Sequence, residues 1–280
     1  MKPLVIYHGD CPDGYCAAWV ISLSPGYQDA EFLAARYGDH PPNVAGRDVT
    51  IIDFSYSKSE IEELHRQANS MKLLDHHRTA QEQLGGLSYC LLDNDRSGAM
   101  LAYDEIYKPT VKSPSKNVFE ICRYIQDHDL WFHQLPETKA VCAYLHALPR
   151  DDPKFFATWT AVSERGLDNN IKNAGEALLL QREQYIASQI TNVEMGVIGD
   201  NLFEVICAPR LWISYLLTSI IEQCASGRSA GWYRDGDGLY HYSLRGSKGY
   251  PVRQIAEVYG GGGHEMAAGF ISEKLVHTHV

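Results

Sequence analysis

The sequence contains no C-x-x-C pair, and its seven cysteines are an odd number. That excludes a zinc ribbon or a disulfide framework and points to reduced thiols in a cytoplasmic setting. No stretch approaches the ~18 apolar residues of a membrane span; Leu211 to Ile221 is interrupted by Ser and Thr, and Leu4 to Tyr7 is far too short for a signal peptide. There is no internal repeat and no low-complexity tract. The one glycine-rich run is not followed by G-K-[ST], so a Walker-type nucleotide loop is absent. Positive charge is also in short supply. The net charge is −10, and residues 1–196 hold 18 basic against 27 acidic side chains. Non-specific affinity for long nucleic acid comes from Lys and Arg neutralising phosphates, so this chain is a poor candidate for coating it. Neither a basic groove nor an aromatic stacking module for long strands is evident. An acidic chain is instead suited to divalent cations, which then recruit a phosphate.

What is present is enough for one large or two ordinary domains: 280 residues, 45% hydrophobic. The stretch Leu73 to Ala80 organises the rest. Met71 to Leu74 reads as a buried parallel strand, and Asp75, His76 and His77 follow it. Open α/β sheets place their ligands at such strand ends. Leu4 to Tyr7 reads as a first strand running into His8-Gly9-Asp10-Cys11-Pro12-Asp13-Gly14, with a helix from near Tyr15 and Asp13 as a partial N-cap. Asp48 to Ile52 predicts a strand ending at Asp53, and Ser57 to Glu60 fits a capping box. Leu87 to Leu92 predicts another strand, and Asp95 or Ser97 caps a helix after it. Ser113 with Pro114 predicts the start of a helix carrying Val118, Ile121, Cys122 and Ile125 and ending in Asp127-His128-Asp129. A long connecting helix is expected over 171–190, with a domain boundary near 192–199. The rest reads as a smaller α+β module. It has strands at 203–208 and on both sides of the Asp-Gly pairs at 235–238, and helices at 211–224 and 252–259. His277 and His279 are expected at the surface or disordered.

Four groups of oxygen or imidazole donors stand at strand or helix ends: His8/Asp10/Asp13, Asp53, Asp75/His76/His77 and Asp127/Asp129. No cysteine is counted among them. A mixed carboxylate and imidazole shell suits Mn²⁺, with Mg²⁺ or Zn²⁺ as alternatives. The carboxylates exceed what one ion needs, whereas two cations ~3.5–4 Å apart bridged by one carboxylate would use them. The run Gly260 to Gly263 before His264 lets backbone N–H groups at Gly261, Gly262 and Gly263 approach a phosphate closely.

With these motifs together, the chain resembles the DHH phosphoesterase superfamily, in the subgroup with a C-terminal DHHA1 domain. The motifs are HGDCPDG, Asp53, the DHH triplet Asp75 to His77, DHD at Asp127 to Asp129, and SLRGSKGYPVRQIAEVYGGGGHEMAAGF from Ser243 to Phe270. The resemblance implies an α/β catalytic domain (1–192, connecting helix included) with a mostly parallel sheet flanked by helices. It also implies a smaller α+β substrate domain (197–280), with the site in the cleft between the two. It puts metal ligands on His8, Asp13, Asp53, His76 and Asp127, with Asp53 bridging. Asp10 is a further candidate, although the family's D-x-D spacing is not kept, since position 15 is Tyr15. Asp53, His76 and His77 carry the catalytic roles. Asp75 orients a ligand histidine, His77 contacts the substrate phosphate, and Arg245 and His264 hold the distal phosphate or sugar.

The expected protein is therefore a Mn²⁺-dependent phosphodiesterase of short oligonucleotides or small nucleotides, with Mg²⁺ or another divalent ion possible. It would not act on long duplex DNA, would have no membrane partner, and could form a homodimer. Cyclic di-nucleotide phosphodiesterase and 3′-phosphoadenosine phosphate phosphatase activities are alternatives, and a non-catalytic nucleotide-binding protein is the rival from another class.

Overall fold

The computed structural model describes residues 1–280 apart from Asp10, Asp151 and Cys224. The chain forms two compact units, residues 1–179 and 180–280.

The first unit is built on a five-stranded parallel sheet. Its elements begin β1 (Leu4–His8), α1 (Pro12–Ser22), β2 (Glu31–Ala35), β3 (Asp48–Ile52), α2 (Lys58–Gln67), β4 (Ser70–Asp75), α3 (Arg78–Leu84) and β5 (Cys90–Leu92). The spatial order is β2-β1-β3-β4-β5, every neighbour pairing being parallel. Successive side chains point to opposite faces. Val5 and Tyr7 therefore join one buried cluster and Leu4 and Ile6 the other. Burial on both faces explains why these strands read as continuous apolar runs rather than alternating ones. β2 has no signal in the sequence because its strand EFLAA is mostly half-exposed at the sheet edge. The predicted strand 87–92 shortens to β5 because Leu87 closes a turn on Leu84 and Cys90 on Leu87.

Helices cover the face bearing Val5 and Tyr7: α4 (Gly98–Ala102), a π-helical turn at Tyr103–Tyr107, α5 (Lys108–Thr110), α6 (Lys116–Asp129), α7 (Thr138–Ala147) and α8 (Phe156–Arg165). Ser97 caps α4 by accepting from the Met100 N–H. The cap of α6 is Ser115, not Ser113, and it accepts from the Val118 N–H. Trp159 is fully buried against Trp19 and Tyr15.

Helix α9 (Asn169–Gln189) leads into the second unit, β6 (Glu194–Ile198), β7 (Asn201–Cys207), α10 (Arg210–Ile221), β8 (Arg228–Arg234), β9 (Tyr240–Gly246), α11 (Arg253–Val258), β10 (Gly262–His264), β11 (Ala267–Ser272) and β12 (Thr278–His279). The seven strands run β10-β11-β9-β8-β7-β6-β12, with only β7 and β8 parallel. The compact units divide between residues 179 and 180, whereas the sequence reading expects a boundary near 192–199. The end of α9 packs with this unit: Ile186 and Ile190 lie against Ile213, Leu216 and Leu217 of α10, and Arg182 caps the Tyr215 ring at 3.8 Å. His277 is not a surface residue. It is buried, its Nδ1 2.7 Å from the Tyr242 hydroxyl.

Candidate metal centre

Strand order reverses between β1 and β3, since β2 lies on one side of β1 and β3 on the other. At such a switch point the loops leave in opposite directions and open a crevice at the strands' C-terminal ends. His8 ends β1, Asp53 follows β3, and Asp75, His76 and His77 run off the end of β4.

Two glycines let the chain close around Asp53. A Cβ on Gly14 would stand 2.5 Å from the His8 carbonyl oxygen and 3.0 Å from Asp53 Oδ2, and one on Gly98 would stand 2.5 Å from Asp53 Cβ. Asp53 itself adopts φ +58°, the left-handed region that aspartate tolerates better than most residues. Its N–H donates to Leu74 O, so the strand ladder holds it there while the side chain turns inward.

Asp13 does not cap its own helix. Cys11 occupies the N-cap of α1, with Pro12 at the first helical position. The Asp13 carboxylate instead accepts from the first N–H groups of α4, Gly98 at 2.6 Å and Ala99 at 2.9 Å. Burial and the neighbouring charges of Asp53 and Asp129 push its pKa well up. His76 Nε2 lies 3.0 Å from Asp53 Oδ1, 3.7 Å from Asp129 Oδ2 and 3.8 Å from Asp13 Oδ2. Burial would lower the His76 pKa, but the surrounding carboxylates, Asp53 first, raise it to about 10. Burial likewise opposes ionisation of Asp53, and the imidazoles of His76 and His8 override it, holding the carboxyl well below its ordinary range.

Asp75 is fully buried. Its Oδ1 accepts from the backbone N–H of His76 and His77 and pairs with His77 Nδ1 at 2.7 Å. It therefore orients His77 rather than His76. Against the pull of burial, Asp75 raises the His77 pKa.

Three groups of ligand atoms lie within 4.8 Å of one another: Asp53–Asp75–His76–His77, His8–Cys11–Asp53, and Asp13–His76–Asp129. Asp53 belongs to two of them and so does His76. Both Asp53 oxygens and His8 Nδ1 are buried without a hydrogen-bond partner. Buried carboxylate and imidazole donors gathered this closely are a donor set that fits a divalent cation.

Of the predicted ligands, the fold brings together His8, Asp13, Asp53 and His76, while Asp10 lies outside the described residues. Asp127, the remaining expected ligand, is not in these three groups. Its carboxylate accepts from the N–H groups of Gln134 and Leu135 and from the Thr138 hydroxyl, and these bonds lower its pKa despite burial. Asp129 takes the place beside His76. Sequence reasoning also passed over Cys11 and Tyr37. Tyr37 is 52% exposed, its ring edge-on to His8 at 5.4 Å and to His77 at 6.4 Å.

In the second unit, Arg245 donates to Ser214 Oγ at 3.0 Å and to Leu244 O. Ala267 pairs with Arg245 on one side and with His264 on the other. Directly paired residues share a sheet face, so Arg245 and His264 flank a small side chain on one face. Gly261 and Gly263 pack against β11 backbone, and Gly262 faces open space. Arg96 is committed to Asp93, Asp104 and Glu105.

No helix among the described residues is long and apolar enough to cross a membrane. No protein-family model matches the chain. The uncharacterized protein R106 of Acanthamoeba polyphaga mimivirus is 26% identical over 299 aligned residues, covering 95% of this chain and 66% of that protein's length. Among solved structures, RecJ from Thermus thermophilus in complex with Mn²⁺ matches with a TM-score of 0.54 at 12% identity, over 96% of this chain and 49% of that one. The pGpG-specific phosphodiesterase PggH from Vibrio cholerae matches with a TM-score of 0.51 at 15% identity, over 97% and 93%. The chain has the RecJ-like, DHH-type fold, a helix-flanked parallel sheet followed by a second sheet unit.

Proposed function

We propose that this chain is a divalent-cation-dependent phosphoesterase acting on short oligonucleotides or small nucleotides. The observation that carries this reading is Asp53: a fully buried carboxylate with His76 Nε2 at 3.0 Å and His8 Nδ1 at 3.5 Å, and with Asp13 and Asp129 gathered around the same His76 nitrogen. Manganese or magnesium would be held by these residues. When bound, such an ion polarises a phosphoryl oxygen and makes hydroxide available near neutral pH.

The chain's own groups then have definite tasks. Asp13 ties α1 to α4 and fixes the crevice wall. Asp75 holds His77 in one orientation, so that its imidazole would face the phosphate with no search over rotamers. Tyr37 offers an exposed aromatic face beside His8 and His77 on which a base can stack. Arg245 and His264, on either side of Ala267, would grip a distal phosphate or sugar. The net charge of −10 disfavours long strands and leaves short substrates as the better fit.

The test is hydrolysis of a graded substrate panel in added Mn²⁺ or Mg²⁺: RNAs and DNAs of two to twenty nucleotides, cyclic di-nucleotides, 3′-phosphoadenosine phosphate and pyrophosphate. Turnover of short nucleotides that vanishes in excess chelator is expected. Turnover undiminished by chelator, or no cleavage of any member despite cation binding, rejects the reading.

A further inference from the structure

We propose that Cys11 is a thiolate ligand of this cation site, giving the centre mixed sulfur, imidazole and carboxylate character and a preference for thiophilic divalent ions such as zinc over magnesium. The inference rests on the reading of the crevice as a cation site.

Cys11 Sγ lies within 4.8 Å of a His8 ring nitrogen and an Asp53 oxygen, each of those atoms also within that distance of the other. The second, independent observation is the state of its neighbours. Asp53 is 1% exposed, and both its oxygens and His8 Nδ1 are buried without hydrogen-bond partners. Three donors of three kinds, a thiol, an imidazole and a carboxylate, thus lie within 4.8 Å of one another at the mouth of α1.

A merely structural role for Cys11 fits poorly. It stands at the N-cap of α1, where Ser, Thr, Asp or Asn would satisfy an orphan N–H, and its side chain makes no capping bond. Nor does it fill the core, since it is half-buried while Cys16, Cys122 and Cys142 are the buried ones. Four residues on, Tyr15 points away from the crevice, its ring on Phe156 and Trp159 and its hydroxyl donating to Asp152 O. The first turn of α1 therefore offers the crevice a carboxylate from Asp13 and sulfur from Cys11, and nothing from Tyr15. Soft thiolate favours zinc-like ions, whereas magnesium demands oxygen ligands. Ligation exchanges the thiol proton for the cation: the S–H bond breaks, a sulfur–metal bond forms with the same electron pair, and the proton leaves to solvent.

The experiment is titration of the purified full-length, metal-free chain with Co²⁺, read by absorbance and without substrate. Wild type is expected to show visible d–d bands together with a near-ultraviolet sulfur-to-cobalt charge-transfer band. Cys11→Ser should keep the d–d bands and lose the charge-transfer band. In competition with Co²⁺, the Cys11→Ser affinity for Zn²⁺ should fall at least about tenfold, with little change for Mg²⁺. Cys11→Ala, matched to wild type by circular dichroism, checks that a new hydroxyl is not substituting as ligand. Visible bands without charge transfer in wild type overturn the assignment of Cys11 and leave the cation site standing, and so does a charge-transfer band that survives in Cys11→Ser. No cobalt bound at all removes the cation site together with its proposed sulfur ligand.

Discussion

His76 Nε2 stands 3.0 Å from Asp53 Oδ1, a close pair between two buried side chains, and the same nitrogen has Asp129 Oδ2 at 3.7 Å and Asp13 Oδ2 at 3.8 Å. Asp53→Asn keeps the shape and removes the charge. It is expected to lower cation-dependent hydrolysis at least about 100-fold, as fits the several kcal/mol that metal-ion charge stabilisation supplies. In the metal-free chain the same change should lower Tm at neutral pH, because the imidazoles of His76 and His8 hold the folded-state carboxyl below its ordinary range and its charge therefore contributes stability there. Calorimetry in chelator beside steady-state rates checks both halves, and a variant that hydrolyses normally removes Asp53 from the reaction.

The two acids at the end of α6 stand in different surroundings. Asp129 sits 3.7 Å from His76 Nε2, and Asp127 binds the loop that leads to α7. Asp129→Asn is expected to weaken cation affinity with little change in Tm. Asp127→Ala should do the reverse, costing about 1–3 kcal/mol because the Gln134 and Leu135 N–H groups and the buried Thr138 hydroxyl lose their acceptor. Isothermal titration with Mn²⁺ and denaturant unfolding distinguish the two. A loss of cation affinity confined to Asp127→Ala would return that residue to the site.

That distinction could have been drawn from the sequence. Val118, Ile121, Cys122 and Ile125 form the apolar stripe of α6, and Asp129, four residues past Ile125, continues it to the sheet's C-terminal edge. Asp127 falls off that stripe. The strands β1, β3 and β4 were legible for the same kind of reason, since runs buried on both faces leave a continuous apolar signature. β2, β6, β10, β11 and β12 were not. They are short or partly exposed, and their pairing depends on partners distant in the chain. Asp53, Asp75 and His76 could be read because they end strong strands. Tyr37 lies in a loop and gains meaning only once His8 and His77 stand beside it. Cys11 escaped because a lone cysteine in a turn carries no spacing signal.

His277 gives a pH dependence away from the crevice. Burial, and then the neighbouring His279, lower its pKa below the ordinary value of about 6.5. Over the window between the two values the unfolded chain binds the proton that the folded chain refuses. Stability therefore rises with pH there and is lost as pH falls through about 6.5 toward the folded value. His277→Gln keeps a polar side chain in place of the ring at the Tyr242 hydroxyl and cannot titrate. The expected result is a Tm difference between wild type and His277→Gln that shifts against wild type as pH is lowered from 8 to 5. A difference that stays constant over that range shows that His277 takes up its proton equally in both states.

Tyr37 tests whether a base is part of what the crevice recognises. The ring is exposed and edge-on to two imidazoles, so truncation disturbs little of the core. Stacking a base on such a ring is worth about 1–3 kcal/mol, which corresponds to roughly 5- to 150-fold in binding. Tyr37→Ala should raise KM for a dinucleotide by an amount in that range and leave kcat close to wild type, since no reacting group is removed. Tyr37→Phe should behave as wild type, because the face and not the hydroxyl is used. A phosphoester lacking any aromatic group, such as glycerol 2-phosphate, is the control: its KM should not respond to Tyr37→Ala. Equal losses on the two substrates would mean that Tyr37 supports His8 and His77 and takes no part in reading the substrate.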